Sequence, residues 1–143
     1  NSGGPLLNQD GQVIGINTAK ANADNLGFSI PINTAKAIVE KIVEGKNYTR
    51  PTLGISGMDV KTYTAYTGQS PDVNSGIIVR SVSSGSVADK AGLKAGDIIT
   101  KIGDSEIKTM NDLSKKLYSY SSGSKDTITV YRDGKATDLK ISF

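Results

Sequence analysis

The 143 residues include no cysteine, no histidine and no tryptophan. Without thiol or imidazole the chain cannot build a Cys/His zinc site, a haem ligand pair, a cysteine nucleophile or a disulfide frame. It also cannot complete a Ser-His-Asp triad from its own residues. No apolar run approaches the roughly 20 residues that a membrane-spanning helix needs. The absence of cysteine suits an exported protein and a cytosolic one equally, so it assigns no compartment. The chain opens Asn1-Ser2-Gly3-Gly4-Pro5 and not on a basic start followed by an apolar stretch, so no targeting segment is visible in it.

Charge is modest and dispersed. The net charge is +3, divided as +1 over residues 1–50 (five basic, four acidic) and +2 over 51–143 (twelve basic, ten acidic). The densest basic spot, Lys115-Lys116, shares its segment with Asp112. A nucleic-acid surface concentrates Lys and Arg among aromatics, and no such cluster exists here, so no nucleic-acid partner is expected. The length fits one ordinary domain or one and a half small ones.

Residues 12–17 and 26–30 are short, β-branched segments flanked by Gly, Asn and Asp, which predicts two strands joined by a loop over Thr18–Asn25. Next, Asn33 is placed as an N-cap, and Ala35, Ile38, Val39, Ile42 and Val43 recur at amphipathic-helix spacing, with Gly45 as the stop. Two strands and one helix are too little for an independent core, so these elements need a partner. Residues 46–51 carry no periodicity and end in Pro51, as a linker would.

The pattern then changes. Strands are predicted at 53–60, 76–82, 97–102, 127–132 and 136–142, the last two joined by Asp133-Gly134, a strong hairpin signal. A short turn of helix is expected over Val87–Ala91, closed by Gly92. A longer helix starts at the Thr109-x-x-Asp112 capping box and shows Met110, Leu113, Leu117 and Tyr120 on one face. The polar stretch Tyr63–Ser75 reads as a helical turn plus a loop. The fold class expected is mainly β with α (α+β).

Two motif series carry the functional reading. Asn1-Ser2-Gly3-Gly4-Pro5-Leu6 resembles the nucleophile segment of chymotrypsin-like serine proteases, although on composition alone Ser-Gly-Gly-Pro is an ordinary turn. Downstream of it, the segment 11–17, then Gly27-Phe28-Ser29-Ile30-Pro31, then a helix, together resemble the end of the protease domain in the HtrA (DegP-like) family. The second series is Arg50-Pro51-Thr52-Leu53-Gly54-Ile55, then 76–82, Ala88–Leu93, Ala95-Gly96-Asp97-Ile98-Ile99 and the capped helix. It resembles a bacterial PDZ domain across residues 50–143, and the polar 63–75 insert is similar to that of Gram-positive proteases.

The resemblance implies residues 1–45 as a remnant of a trypsin-like protease domain, that is, the last strands and helix of a chymotrypsin-like β-barrel. It implies 46–51 as linker and 52–143 as a PDZ domain. Ser2 would be the nucleophile of the parent protein, its His and Asp partners lying outside this chain, so the 143 residues alone are expected to be proteolytically inactive. The peptide-binding residues implied are Thr52, Leu53, Gly54 and Ile55 as the carboxylate loop, Ser56, Gly57 and Met58 as the pairing strand with Ile55, and Met110, Leu113 and Leu117 as the opposite wall. The family often carries a large residue where this chain has Thr52. Leu113 and Leu117 read equally well as core.

The parent function implied is a quality-control endopeptidase, extracytoplasmic and membrane-anchored or at the cell surface, homotrimeric, with a PDZ domain taking unfolded or hydrophobic C-terminal peptides. No cofactor or metal is implied. The alternative is a non-catalytic PDZ adaptor. The orphaned first third is expected to self-associate through residues 12–44.

Overall fold

The computed structural model describes residues 1–20, 27–45 and 51–143. The chain divides into two compact units, Asn1–Tyr48 and Thr49–Phe143, and its mainly β architecture with helices is the class expected. The linker expected at 46–51 falls, apart from Pro51, outside the described residues, as do positions 21–26 of the loop and strand expected there.

In the first unit, β1 (Pro5–Leu7), β2 (Val13–Lys20) and β3 (Gly27–Pro31) form an antiparallel sheet in that order, followed by α1 (Ile32–Val43). β1 is an addition to the sequence expectation: three residues beginning with Pro give no alternation to read. Asn33 is not the N-cap. Pro31 takes that position with extended backbone, because it also ends β3, and Asn33 lies inside the helix. Burial is slight: Ala35 is the only hydrophobic residue of the described part of this unit in the buried core, while Phe28, Ile42 and Val43 are exposed.

The second unit is a six-stranded sheet with helices. β4 (Ile55–Asp59), β5 (Ile77–Val82), β6 (Ile98–Ile102), β8 (Lys125–Arg132) and β9 (Lys135–Ser142) run in the order β4-β5-β6-β8-β9, and the short β7 (Ser105–Glu106) pairs with β6. All pairings are antiparallel. Asp133 and Gly134 both take positive φ (51° and 78°), which matches the strand twist in a two-residue hairpin turn. Helices α2 (Val60–Thr67), α3 (Val87–Ala91) and α4 (Met110–Tyr118) fall between strands.

The strand expected at 53–60 is shorter than the apolar pattern suggested, because Val60 already begins α2. Helix α4 has the expected capping box: Thr109 Oγ1 accepts from the Asp112 N–H, and the Asp112 carboxylate accepts from the Thr109 N–H. The helix ends at Tyr118, so Tyr120 lies beyond it, yet still buries its ring and stacks on Phe143 at 4.7 Å between centroids. One core joins Leu53, Ile77, Val79, Ala88, Ile99, Ile102, Leu113, Ile128, Val130 and Ile141. Fully burying each large aliphatic residue contributes about 1.5–3 kcal/mol, which makes this unit the stable part of the chain.

Candidate peptide-binding groove and nucleophile segment

The groove residues come from β4, the loop before it and α4. The loop is tied down through its carbonyls: Leu53 C=O accepts from Ala88 N–H (2.9 Å) and Gly54 C=O from Ser83 N–H (2.8 Å). Gly54 has φ 76°, the left-handed region, and a Cβ there would stand 2.3 Å from the Ser86 Cβ. Only glycine fits both demands. With their carbonyls engaged, Leu53 and Gly54 have N–H groups with no acceptor among the described residues. Two successive free N–H groups beside a left-handed glycine are what an anion nest requires.

β4 is an edge strand among the described residues, since it pairs with β5 alone. The Ser83–Gly54 bond fixes the ladder pattern: Ile55 and Val82 are a non-hydrogen-bonded pair, so the Ile55 N–H and C=O point away from β5. At the other end the Val60 N–H donates to Gly76 C=O (2.9 Å), which places Asp59 opposite Ile77 in the same class. Met58 therefore faces Ile78 as a bonded pair, and Gly57 opposite Val79 points outward as well. The Val79 N–H and C=O are used by β6-side partners, Asp97 C=O and Gly96 N–H, in agreement. Ile55 and Gly57 thus present main-chain donors and acceptors at the open edge, and Asp59 presents its N–H, since its C=O, at the N-cap position, accepts the first bond of α2. A bulge between Ser56 and Gly57 interrupts the register, and a Cβ at Gly57 would stand 2.6 Å from the Ile78 carbonyl oxygen.

Helix α4 begins beside the far end of this edge. Its first N–H, from Met110, donates to Asp59 Oδ1 at 2.7 Å. Toward its other end Leu117 is half-buried and packs on the same core as Ile55. Met110 is 37% exposed and Leu113 only 3%. Leu113 therefore sits in the core, Leu117 at its margin, and Met110 at the surface. Thr52 and Ser56 are exposed, and Gly57 and Met58 half-buried. The loop, the edge strand and the helix wall are all present in one unit.

A cleft of about 470 Å³ lies elsewhere, between Pro71, Ala95, Ile98 and Tyr131. Two of the charges in its wall, Asp97 and Arg132, are committed to each other. Arg132 meets the fully buried Asp97 through two parallel bonds, Nε to Oδ1 (2.6 Å) and a terminal nitrogen to Oδ2 (2.7 Å), and also donates to Gly92 C=O. The Asp97 carboxylate holds the Arg132 guanidinium above its ordinary pKa. No sequence signal marks this pair, because 35 residues separate its members and only the β6–β8 register brings them together.

In the first unit, Ser2 is exposed at a turn held against β2. The Gly3 N–H donates to Asn17 C=O (2.7 Å) and the Asn17 N–H to Gly4 C=O (2.9 Å). The Ser2 hydroxyl donates to Thr18 C=O at 2.9 Å. A carbonyl oxygen cannot accept that proton as a base does, so the serine is not activated. Among the described residues no cluster of His, Cys, Asp or Glu could hold a metal.

Comparison with known proteins agrees with this anatomy. The sequence model of the PDZ domain family matches residues 51–143. Serine protease Do-like HtrA of Lactococcus lactis subsp. lactis is 39% identical over 99% of this chain and 38% of that relative. The protein of the same description from Bacillus subtilis is 38% identical over 99% of the chain and 34% of its own length. Among solved structures, the HtrA-type protease AlgW with decapeptide superposes with a TM-score of 0.74 at 28% identity, covering 99% of this chain and 44% of that one. The chain thus spans less than half the length of each of these relatives. It belongs to the PDZ domain family and is an HtrA-type, PDZ-containing chain.

Proposed function

We propose that residues 52–143 bind peptides by strand addition. An extended peptide pairs with the outward main-chain groups of Ile55 and Gly57, while Thr52, Leu53, Gly54 and Ile55 hold its terminal carboxylate on their N–H groups. Ser56 and Met58 complete the pairing strand. Leu117 flanks a hydrophobic last side chain, Met110 lines the groove toward its Asp59 end, and Leu113 supports that wall from the core. The observation that carries this reading is the open edge of β4, which directly follows a left-handed glycine whose N–H has no acceptor among the described residues. The decapeptide of the AlgW structure is in keeping with it.

The test is binding of fluorescent peptides with hydrophobic C-termini, each compared with its C-terminal amide. The free acids bind, and amidation removes most of the affinity. Equal binding of acid and amide would reject the carboxylate loop. No binding of either would leave the PDZ unit to act through contacts inside a larger protein.

In the parent protein we place this chain at the end of the protease domain of a serine endopeptidase, with residues 1–45 as the protease remnant, 46–51 as linker and Ser2 as nucleophile. A His and an Asp from elsewhere in that protein activate it. Homologues described as periplasmic serine proteases support an extracytoplasmic setting, and the family supports work in protein quality control under stress. Trimerisation through the protease domain and membrane or cell-surface anchoring belong to the same proposal. The 143 residues alone have no proteolytic activity, because no residue can serve as the histidine. Inhibitor-sensitive cleavage of an unfolded substrate by highly purified chain would overturn that.

A further inference from the structure

The far end of the groove carries a carboxylate whose placement the groove alone does not explain. Asp59 occupies the N-cap position of α2, with extended backbone, yet its side chain makes no capping bond to that helix. It reaches instead to α4, where Oδ1 accepts from the Met110 N–H, a bond between residues 51 apart in sequence. Among the described residues no Lys or Arg forms an ion pair with Asp59, and Oδ2 has no hydrogen-bond partner. The residue is half-buried at the open edge, with one oxygen engaged and one available.

Antiparallel pairing sets what a ligand would bring to it. Outward positions on β4 recur every second residue, at Ile55, Gly57 and Asp59. A peptide whose last residue lies opposite Ile55 therefore sets its third-last residue opposite Gly57 and its fifth-last opposite Asp59. Residues directly opposite in an antiparallel pair put their side chains on the same face, about 5 Å apart at Cβ. The fifth-last side chain thus stands beside the free oxygen of Asp59.

We propose that Asp59 is a specificity-determining residue that selects peptides with Lys or Arg at the fifth position from the C-terminus. Its other oxygen meanwhile fixes the start of α4. This rests on the strand-addition reading above and adds a position to it. A partly exposed, directly opposed ion pair gives a preference of about twofold to fivefold over a neutral residue, and a like charge is disfavoured by a similar factor.

The experiment uses the 143-residue chain and a set of free-acid peptides identical except for Lys, Met or Glu at the fifth-last position, titrated at low and at high salt. The chain binds them in the order Lys, Met, Glu, and high salt narrows the spread. Asp59→Asn keeps a side-chain oxygen for the Met110 N–H and removes the charge, so it binds all three alike while melting near the wild-type temperature. Equal binding of the three peptides by the wild-type chain would overturn the proposal while leaving strand addition intact, and so would a Lys preference that survives in Asp59→Asn. If none of the peptides binds, the groove reading falls and this inference with it. The wild-type series decides the matter even if the variant does not fold.

Discussion

Gly54 stands so close to Ser86 that a single added methyl would overlap it, with 2.3 Å between the two Cβ positions. Ser86 cannot retreat freely, because its hydroxyl caps α3 by accepting from the Asp89 N–H. Gly54→Ala therefore meets both a steric collision and the left-handed backbone penalty of about 1–2 kcal/mol. The substitution is expected to lower the urea midpoint of the PDZ unit and to abolish discrimination between peptide acid and amide. Adding Ser86→Gly relieves the collision but not the backbone term, so stability recovers only in part. Full recovery would mean that the backbone at Gly54 carries no strain for alanine.

Arg132→Met leaves Asp97 as a buried carboxylate without its cation. Removing one member of a buried pair costs about 3–5 kcal/mol, while replacing both by apolar groups of similar size costs far less. The double variant Asp97→Leu/Arg132→Met loses additionally the Asp97 bond to the Lys94 N–H, at 2.8 Å. It is expected to fall between wild type and Arg132→Met in denaturant unfolding. A single variant as stable as wild type would show that water reaches Asp97.

Much of the PDZ unit was legible because its signals are local. Thr109 and Asp112 are three residues apart, Asp133-Gly134 is a contiguous turn, and Gly92 ends the helix just before it. What escaped depends on distance. Asp59 looks like the last residue of a strand, and nothing nearby announces that it serves a helix 51 residues later. Asn33 failed as a cap because cap preference is overridden when the preceding strand runs directly into the helix through Pro31. For the candidate site, the loop and edge strand were readable from Gly54 and Gly57. Whether Leu113 faced core or ligand was undecidable from spacing, since both positions suit one helical stripe.

The carboxylates give the PDZ unit a defined acid limit. The Tyr120 hydroxyl, donating a short hydrogen bond to Asp126, holds that carboxyl below its usual range, with help from the Thr127 N–H and Lys116. The Thr109 side chain does the same for Asp112, assisted by the Lys108 and Thr109 N–H groups. A carboxyl depressed in the folded state contributes stability that is present above its unfolded pKa of about 3.9 and is lost as pH falls through the folded value. The melting temperature is therefore flat near neutrality and drops below about pH 4. Tyr120→Phe is expected to raise the Asp126 pKa and shrink that drop, as measured by carboxyl NMR titration. Burial first, and then Asp126, push the Tyr120 hydroxyl up, so it contributes stability that is lost only as pH rises above the ordinary tyrosine range near 10.

The first unit exposes a surface that monomeric proteins seldom leave open. Phe28 is 55%, Ile42 60% and Val43 80% exposed, with Val13, Ile14 and Ile30 also at the surface. In the parent protein we assign the covering role to the rest of the protease domain. In the 143-residue chain the same residues, within 12–44, are left for another copy. Light scattering is expected to show mass rising with concentration. Phe28→Ser combined with Val43→Ser lowers the apparent mass without altering the PDZ unit's melting, because the two units have separate cores. A chain that stays monomeric while β2, the described part of β3 and α1 are protected from hydrogen exchange would reject self-association, since protection would then need no second copy.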